Sequence, residues 1–179
     1  MMRILVAGIG NIFMGDDAFG CEVAAELAKR QWPPGVRVED FGVRSYDLAY
    51  AIMDGMDAVI FIDAAPRGER PGTVYLIEAD AGRLDPVGEI PDAHNMNPVA
   101  ALQLVRSLGG DAKRLYVVGC EPGVLETEEI GLSEPVRAAV PAAVSMIETL
   151  VRELFETRES GASIDASNAA LKTTLSTHV

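Results

Sequence analysis

Cysteine is scarce in this sequence, which has 179 residues but only two cysteines, Cys21 and Cys120. Two cysteines are too few for a disulfide framework and indicate a reducing compartment. Basic residues are also few, 15 Lys and Arg against 27 Asp and Glu, and the net charge of -12 disfavours nucleic acid as a partner. No apolar run is long enough to span a bilayer, and the first residues lack the pattern of a signal peptide. We therefore expect a cytoplasmic protein without membrane insertion.

The sequence also lacks the local patterns of nucleophilic hydrolases. Ser45 and Ser133 are not flanked by the glycines of a nucleophile elbow. Cys21 falls inside a predicted helix and Cys120 ends an apolar strand, and cysteines in such positions are usually small buried hydrophobes. A cysteine or serine hydrolase is therefore disfavoured.

Segments of strand and helix type alternate along the chain, which predicts a three-layer α/β fold. Right-handed crossovers then give a mostly parallel, twisted sheet of about five strands with helices on both faces. The strand at 73–77 follows its predecessor without a helix between them, which indicates an antiparallel edge. We place a single domain at residues 1–156 and a disordered tail, rich in Ser, Thr and Ala, at residues 157–179. Strands are predicted near residues 3–7, 36–41, 58–62, 73–77 and 114–119, and helices over 18–30, 46–53, 99–108 and from 134 onward.

The chain is organised around residues 6–20, where an apolar strand runs into a glycine turn and the start of a helix. The carboxyl edge of a sheet, where this turn lies, is where open α/β folds bind their ligands. Asp16 fits the N-cap position of the helix that follows. Neighbouring side chains diverge on a helix, so only one of them can cap it. Asp17 is therefore a candidate for chemistry.

Asp17, Asp63 and His94 are predicted to converge at this edge of the sheet. Asp63 ends the apolar strand at 58–62, and a carboxylate there needs a hydrogen bond, an ion pair or a metal. Two carboxylates and one imidazole suit Ni²⁺ or Zn²⁺ and leave positions open for water or substrate. His94 precedes a predicted helix, where a lone histidine is more often a turn or capping residue than a ligand, while His178 lies in the tail and is expected to play no part.

Several short blocks along the chain form a specific combination. They are Gly8-Ile9-Gly10-Asn11, Asp16-Asp17 with Gly20, Ile62-Asp63-Ala64, His94-Asn95-Met96, Val118-Gly119 with Pro122, Leu125-Glu126 and Ile130-Gly131-Leu132-Ser133. In these blocks, which occur in order and cover the chain to about Phe155, the sequence resembles the [NiFe]-hydrogenase maturation endopeptidases. Two departures stand out. The loop at 41–45 keeps only Gly42 of a glycine-rich loop found in many members, and the tail has no counterpart.

The resemblance carries expectations about function. Members of that family are five-stranded α/β proteins that remove a C-terminal extension from the hydrogenase large subunit after nickel insertion. The resemblance implies that the catalytic, metal-contacting positions are Asp17, Asp63 and His94. The first of these positions is Glu or Asp in the family. Nickel would then arrive with the hydrogenase large-subunit precursor rather than reside in the protease. The cation would act as a Lewis acid or lower the pKa of a bound water.

Two other functions stay open at this point. One is a hydrolase that holds its own resident Zn²⁺. The other is a nucleotide-binding α/β module, since Gly8 and Gly10 match part of the dinucleotide fingerprint. Phe13 stands where that fingerprint needs its third glycine, and Asp16 and Asp17 would repel a pyrophosphate.

Overall fold

The computed structural model describes residues 1–79, 98–110, 114–125 and 130–160. Within these ranges, strands and helices alternate as predicted, and a short 3-10 turn at Gly15–Ala18 joins the first strand to the first helix. The elements are β1 (Ile4–Ile9), α1 (Phe19–Ala28), β2 (Val36–Gly42), α2 (Ser45–Met53), β3 (Ala58–Ala64), β4 (Val74–Ala79), α3 (Pro98–Ser107), β5 (Leu115–Cys120) and α4 (Glu134–Ser160).

The five strands form one sheet in the order β2-β1-β3-β5-β4. The first four are parallel neighbours, and β4 pairs antiparallel with β5 at one edge. Helices α1 and α4 pack on one face of the sheet, and α2 and α3 on the other. The predicted three-layer α/β architecture, with its antiparallel edge strand, is confirmed.

Successive side chains of the central strands point to opposite faces of the sheet, so the core has two halves. In β1, Ile4 and Val6 face α1 and α4, while Leu5 and Ala7 face α2 and α3. Both faces of β1 and of β3 are buried, as expected for parallel strands covered by helices on both sides. The carboxyl ends of these two strands therefore meet, side by side, at the same edge of the sheet.

Glycine allows the start of α1 to reach that edge. A Cβ atom on Gly20 would lie 2.2 Å from the carbonyl oxygens of both Ile9 and Ile62, at the ends of β1 and β3. A Cβ atom on Gly8 would lie 2.3 Å from the carbonyl oxygen of Gly20. Any larger residue at these positions would push α1 away from the sheet. The close approach places the 3-10 turn, with Asp16 and Asp17, directly above the strand ends.

The last helix, α4, ends at Ser160, four residues beyond the predicted domain end at residue 156. Ser133 precedes the helix, and its carbonyl oxygen accepts the first helical hydrogen bond, from the backbone N–H of Arg137 at 2.8 Å. Residues 161–179, most of the predicted tail, lie outside the described residues. In the described part of the chain, α4 and the other helices are too short or too polar to cross a membrane.

Candidate active site

Asp63 is the buried carboxylate of the candidate site. It is the second-last residue of β3, and its side chain is only 4% exposed. Burial raises the pKa of Asp63 well above its ordinary value of 3.8, and the nearby charge of Asp17 raises it further. The sequence predicted a carboxylate at this strand end. The structure adds that it is almost entirely removed from water.

Asp17 lies beside Asp63, on the outer side of the site. Its carboxylate is half-buried, and its Oδ2 atom accepts a hydrogen bond of 2.6 Å from the backbone N–H of Asn11. Burial raises the pKa of Asp17, while the Asn11 hydrogen bond opposes that rise. The 3-10 turn that carries Asp17 contacts β3, which carries Asp63, so the two predicted carboxylates lie near each other at the carboxyl edge of the sheet.

His94, the third predicted member, lies outside the described residues. In the ranges that the structure does describe, no group of three or more His, Cys, Asp and Glu side chains is arranged to hold a metal ion. The assignment of Asp17, Asp63 and His94 as metal ligands therefore stays a prediction. Carboxylate oxygens of this kind suit borderline divalent cations when an imidazole joins them.

The prediction that Asp16 caps the first helix is wrong. Helix α1 begins at Phe19 with Ala18 in the N-cap position, and no described side chain makes a cap hydrogen bond there. Asp16 is instead fully buried and points towards the start of α4. Its Oδ2 atom accepts hydrogen bonds from the backbone N–H groups of Gly123 at 2.7 Å and Val124 at 2.8 Å, and from Oγ of Ser133 at 2.9 Å. Its Oδ1 atom accepts one from the Ser133 N–H at 2.7 Å.

These hydrogen bonds decide the ionisation of Asp16. Burial alone would raise its pKa, but the hydrogen bonds from Val124, Ser133 and Gly123 lower the pKa below its ordinary value. Asp16 is therefore an anion at neutral pH, and its negative charge is balanced by donors from two distant parts of the chain. We refer to Asp16, Gly123, Val124 and Ser133 as the Asp16 clamp.

Glu121 is a third buried carboxylate, after Asp63 and Asp16, and no motif in the sequence pointed to it. It is 5% exposed and accepts hydrogen bonds from the backbone N–H groups of Arg67 at 2.7 Å and Gly68 at 3.3 Å. Both donors belong to the loop that follows β3. Glu121 therefore fixes the course of the chain as it leaves the buried carboxylate.

Tyr75 supports the same loop from the edge strand β4. Its hydroxyl donates a hydrogen bond to the carbonyl oxygen of Ala65, and its ring lies 4.9 Å from the guanidinium carbon of Arg67. Tyr75 pairs with Gly119, which in turn pairs with Asp63, so the three residues form one row across the sheet. A Cβ atom on Gly119 would lie 2.3 Å from the Tyr75 ring, which explains the glycine.

Neither cysteine is available as a nucleophile. Cys21 is buried, and its thiol donates a hydrogen bond of 3.6 Å to the carbonyl oxygen of Gly10. Burial and the neighbouring carboxylate of Asp40 raise the pKa of Cys21 far above its ordinary range. Burial and the charge of Asp16 raise the pKa of Cys120 to about 12. Both thiols therefore stay protonated and unreactive at neutral pH.

Large apolar side chains are exposed on and beside the segment that leads to Asp17, and we call them the apolar rim. Ile12, Phe13 and Met14 follow Asn11 directly, and Phe13 is 65% exposed. Two more members come from neighbouring loops that are hydrogen-bonded to this segment. Gly42, before Val43, accepts a bond from the N–H of Gly10, and Val124 accepts one from the N–H of Asp16. The apolar rim consists of Ile12, Phe13, Met14, Val43 and Val124.

Comparison with known protein families gives one family. The HycI family, described as hydrogenase maturation protease, matches residues 21–150 of the chain. The chain is 30% identical over 161 residues to the hydrogenase 2 maturation protease of Escherichia coli (strain K12), with 85% of this chain and 92% of that protein covered. It is 33% identical over 153 residues to the hydrogenase expression/formation protein HupD of Rhizobium leguminosarum bv. viciae, with 85% and 74% covered.

Solved structures agree with the sequence comparison. The structure is similar to the hydrogenase maturating endopeptidase HybD from Escherichia coli, with a TM-score of 0.65 and 30% identity over 94% of this chain and 100% of that one. It is also similar to the [NiFe] hydrogenase maturation protease HycI from Thermococcus kodakarensis, with a TM-score of 0.61 and 26% identity over 84% and 93%.

Proposed function

Because this chain belongs to the hydrogenase maturation protease family and is a peptidase of the hydrolase class, we propose that it processes a [NiFe]-hydrogenase large-subunit precursor. In this proposal the protease removes the C-terminal extension after nickel has been inserted. It recognises the nickel of the precursor through Asp17, Asp63 and His94. Nickel is thus part of the substrate and not a resident cofactor.

The burial of Asp63 beside Asp17 is the observation that carries this proposal. Two neighbouring carboxylates, one of them only 4% exposed, repel each other and lose hydration, so their ionised forms cost free energy. A divalent cation removes both penalties when it binds. An apolar or polar peptide without such a cation does not. The site is therefore suited to a substrate that brings positive charge to it.

The proposed mechanism needs no protein nucleophile. A cation beside the scissile bond would polarise its carbonyl group or lower the pKa of a bound water. The chain itself contributes a prearranged site. The Asn11 N–H holds the carboxylate of Asp17, and Glu121 fixes the loop after Asp63 through the backbone of Arg67 and Gly68. Because these groups are already in place, little reorganisation accompanies binding.

Replacing His94 tests the third proposed ligand. His94→Ala is expected to reduce cleavage of nickel-loaded precursor by about 100-fold or more, because a cation site with three protein ligands would lose one of them. His178→Ala is the matched control and should leave cleavage unchanged. The measurement is the amount of shortened product, by mass spectrometry, at fixed times. Equal cleavage by both variants would remove His94 from the site.

Metal and nucleotide binding distinguish the two rival functions. A hydrolase with its own Zn²⁺ would contain stoichiometric, tightly held metal after purification and would need no nickel in the precursor. A nucleotide-binding module would gain thermal stability when ATP or NAD is added. We expect neither result from the purified wild-type protein.

The apolar rim provides a prediction about substrate binding. Phe13→Ser is expected to raise KM for the nickel-loaded precursor by about tenfold with little change in kcat, since the exposed ring is positioned to bind polypeptide and not to react. Tyr50→Ser is the control, because Tyr50 is exposed to a similar extent, at 61%, but lies within α2. A similar effect of both substitutions, or a change in kcat alone, would contradict a role of the rim in docking.

The buried thiols provide a prediction about the absence of covalent catalysis. Cys21→Ala and Cys120→Ala are expected to cleave the precursor within about twofold of the wild-type rate at a temperature well below their melting temperatures. In the native protein, neither thiol should react with Ellman's reagent, because burial keeps both protonated. Loss of activity on alkylation of the folded protein would restore a cysteine mechanism.

A further inference from the structure

The Asp16 clamp holds one side of the short turn that carries Asp17. Asp16 and Asp17 are adjacent in a 3-10 turn of four residues, Gly15–Ala18. Successive side chains of a 3-10 turn point about 120° apart, because it has three residues per turn. Asp16 therefore faces the start of α4, where it accepts four hydrogen bonds, while Asp17 faces Asn11 and Asp63.

The opposite side of the turn is held by close backbone packing. Gly10 has a φ of 130°, and a Cβ atom there would lie 1.9 Å from the carbonyl oxygen of Asp17. The turn is thus wedged against the end of β1. On the side that faces α4, the turn is held by the hydrogen bonds to the Asp16 carboxylate. The Asp16 N–H also donates a hydrogen bond of 2.8 Å to the carbonyl oxygen of Val124. Most of the hydrogen bonds on this side are therefore made by the Asp16 carboxylate.

We propose that Asp16 is a positioning residue, which acts through the clamp to fix Asp17 relative to Asp63. This inference deepens the proposed function and rests on it for its consequence in catalysis. Asp16 itself is fully buried, and its carboxylate is occupied by hydrogen bonds from the protein. Its four donors come from the segment after β5 and from the start of α4. The position of Asp17 therefore depends on two elements that are more than a hundred residues away in sequence.

The variant Asp16→Asn tests the role with almost no change in size. An amide can place only one oxygen towards the donors, so its NH₂ group meets either the Ser133 N–H or the donors at Oδ2. Val136→Ala is the matched control, since it removes buried methyl groups from the first turns of α4, outside the clamp. Ser133→Ala removes only the hydroxyl donor and leaves the three backbone donors in place.

Two measurements separate positioning from general stability. The first is kcat for nickel-loaded precursor, well below each melting temperature, where Asp16→Asn should lose about 10- to 100-fold and Val136→Ala should keep the wild-type value. The second is the NMR signal of the Asn11 amide proton, which reports the hydrogen bond to Asp17 and needs no substrate. This signal should move in Asp16→Asn and stay in place in Val136→Ala.

Each outcome decides the proposal. If folded Asp16→Asn keeps both the wild-type kcat and the Asn11 signal, Asp16 has only a structural role and the inference is wrong. If Asp16→Asn does not fold, the decision passes to Ser133→Ala, which should shift the Asn11 signal in part and lower kcat several-fold. If wild-type protein does not cleave the precursor, the proposed function fails, and the Asn11 signal alone decides whether the clamp positions Asp17.

Discussion

Replacing Asp63 by Asn is expected to abolish precursor cleavage and, at neutral pH, to raise the melting temperature of the metal-free protein. The loss of activity should be about 1000-fold or more, because the variant loses a charged ligand at the centre of the site. The gain in stability follows from the same charge. Asn has the shape of a protonated Asp, and it removes a buried anion that Asp17 repels.

The pH dependence of this stability gain has a definite sign. The folded state raises the pKa of Asp63 above 3.8, so the folded protein binds this proton more tightly than the unfolded chain. The contribution of Asp63 to stability is then fully present below pH 3.8 and is lost as the pH rises through the folded pKa. The difference in melting temperature between Asp63→Asn and wild type should therefore be small at low pH and grow as the pH rises.

Thermal melting in the presence of a chelator, at several pH values, measures this effect. Glu69→Gln is the control, because Glu69 is exposed in the loop after β3 and its neutralisation should leave the melting temperature nearly unchanged. A lower melting temperature for Asp63→Asn at every pH would show that the Asp63 carboxylate stabilises the fold. That result would contradict the view that Asp63 lowers the stability of the fold and is retained because its function requires it.

Replacing Asp17 tests whether charge, rather than shape, matters at the outer position. Asp17→Asn should reduce cleavage by about 100-fold or more, because it removes a negative ligand while keeping the side-chain size. Asp17→Glu should stay within about tenfold of the wild-type rate, since it keeps the charge and the half-buried position has room at its exposed side. Both are measured by formation of the shortened product from nickel-loaded precursor.

The thermal stability of Asp17→Asn provides a control for folding. Asp17→Asn removes the charge that raises the pKa of Asp63, so it should stabilise the metal-free protein at neutral pH. A melting temperature of Asp17→Asn at or above that of the wild type would show that poor folding is not the cause of its lost activity. Equal activity of the Asn and Glu variants would contradict a cation at this position.

The sequence predicts the sheet and the acidic pair because both depend on local patterns. Apolar runs mark the buried strands, and the missing helix before β4 marks an antiparallel edge. Parallel strands end at one edge, so residues that follow β1 and end β3 must lie near each other. The meeting of Asp17 and Asp63 therefore needs no knowledge of side-chain packing.

The role of Asp16 could not be predicted because its partners are far away in sequence. Gly123 and Ser133 lie 107 and 117 residues from it, and no local spacing connects them. The local preference for aspartate before a helix predicts that Asp16 is an N-cap. Four hydrogen bonds from the segment between β5 and α4 instead determine where its side chain points. The Asp63, Gly119 and Tyr75 row likewise depends on strand register, which the sequence leaves open.

Cleavage of precursors with and without nickel shows whether the acidic pair recognises nickel carried by the precursor. Wild-type protein is incubated with nickel-loaded and with nickel-free large-subunit precursor, and the mass of the large subunit is followed with time. We predict that only the nickel-loaded precursor is shortened. Equal shortening of the nickel-free precursor would contradict nickel recognition, and shortening of neither would contradict the proposed function itself.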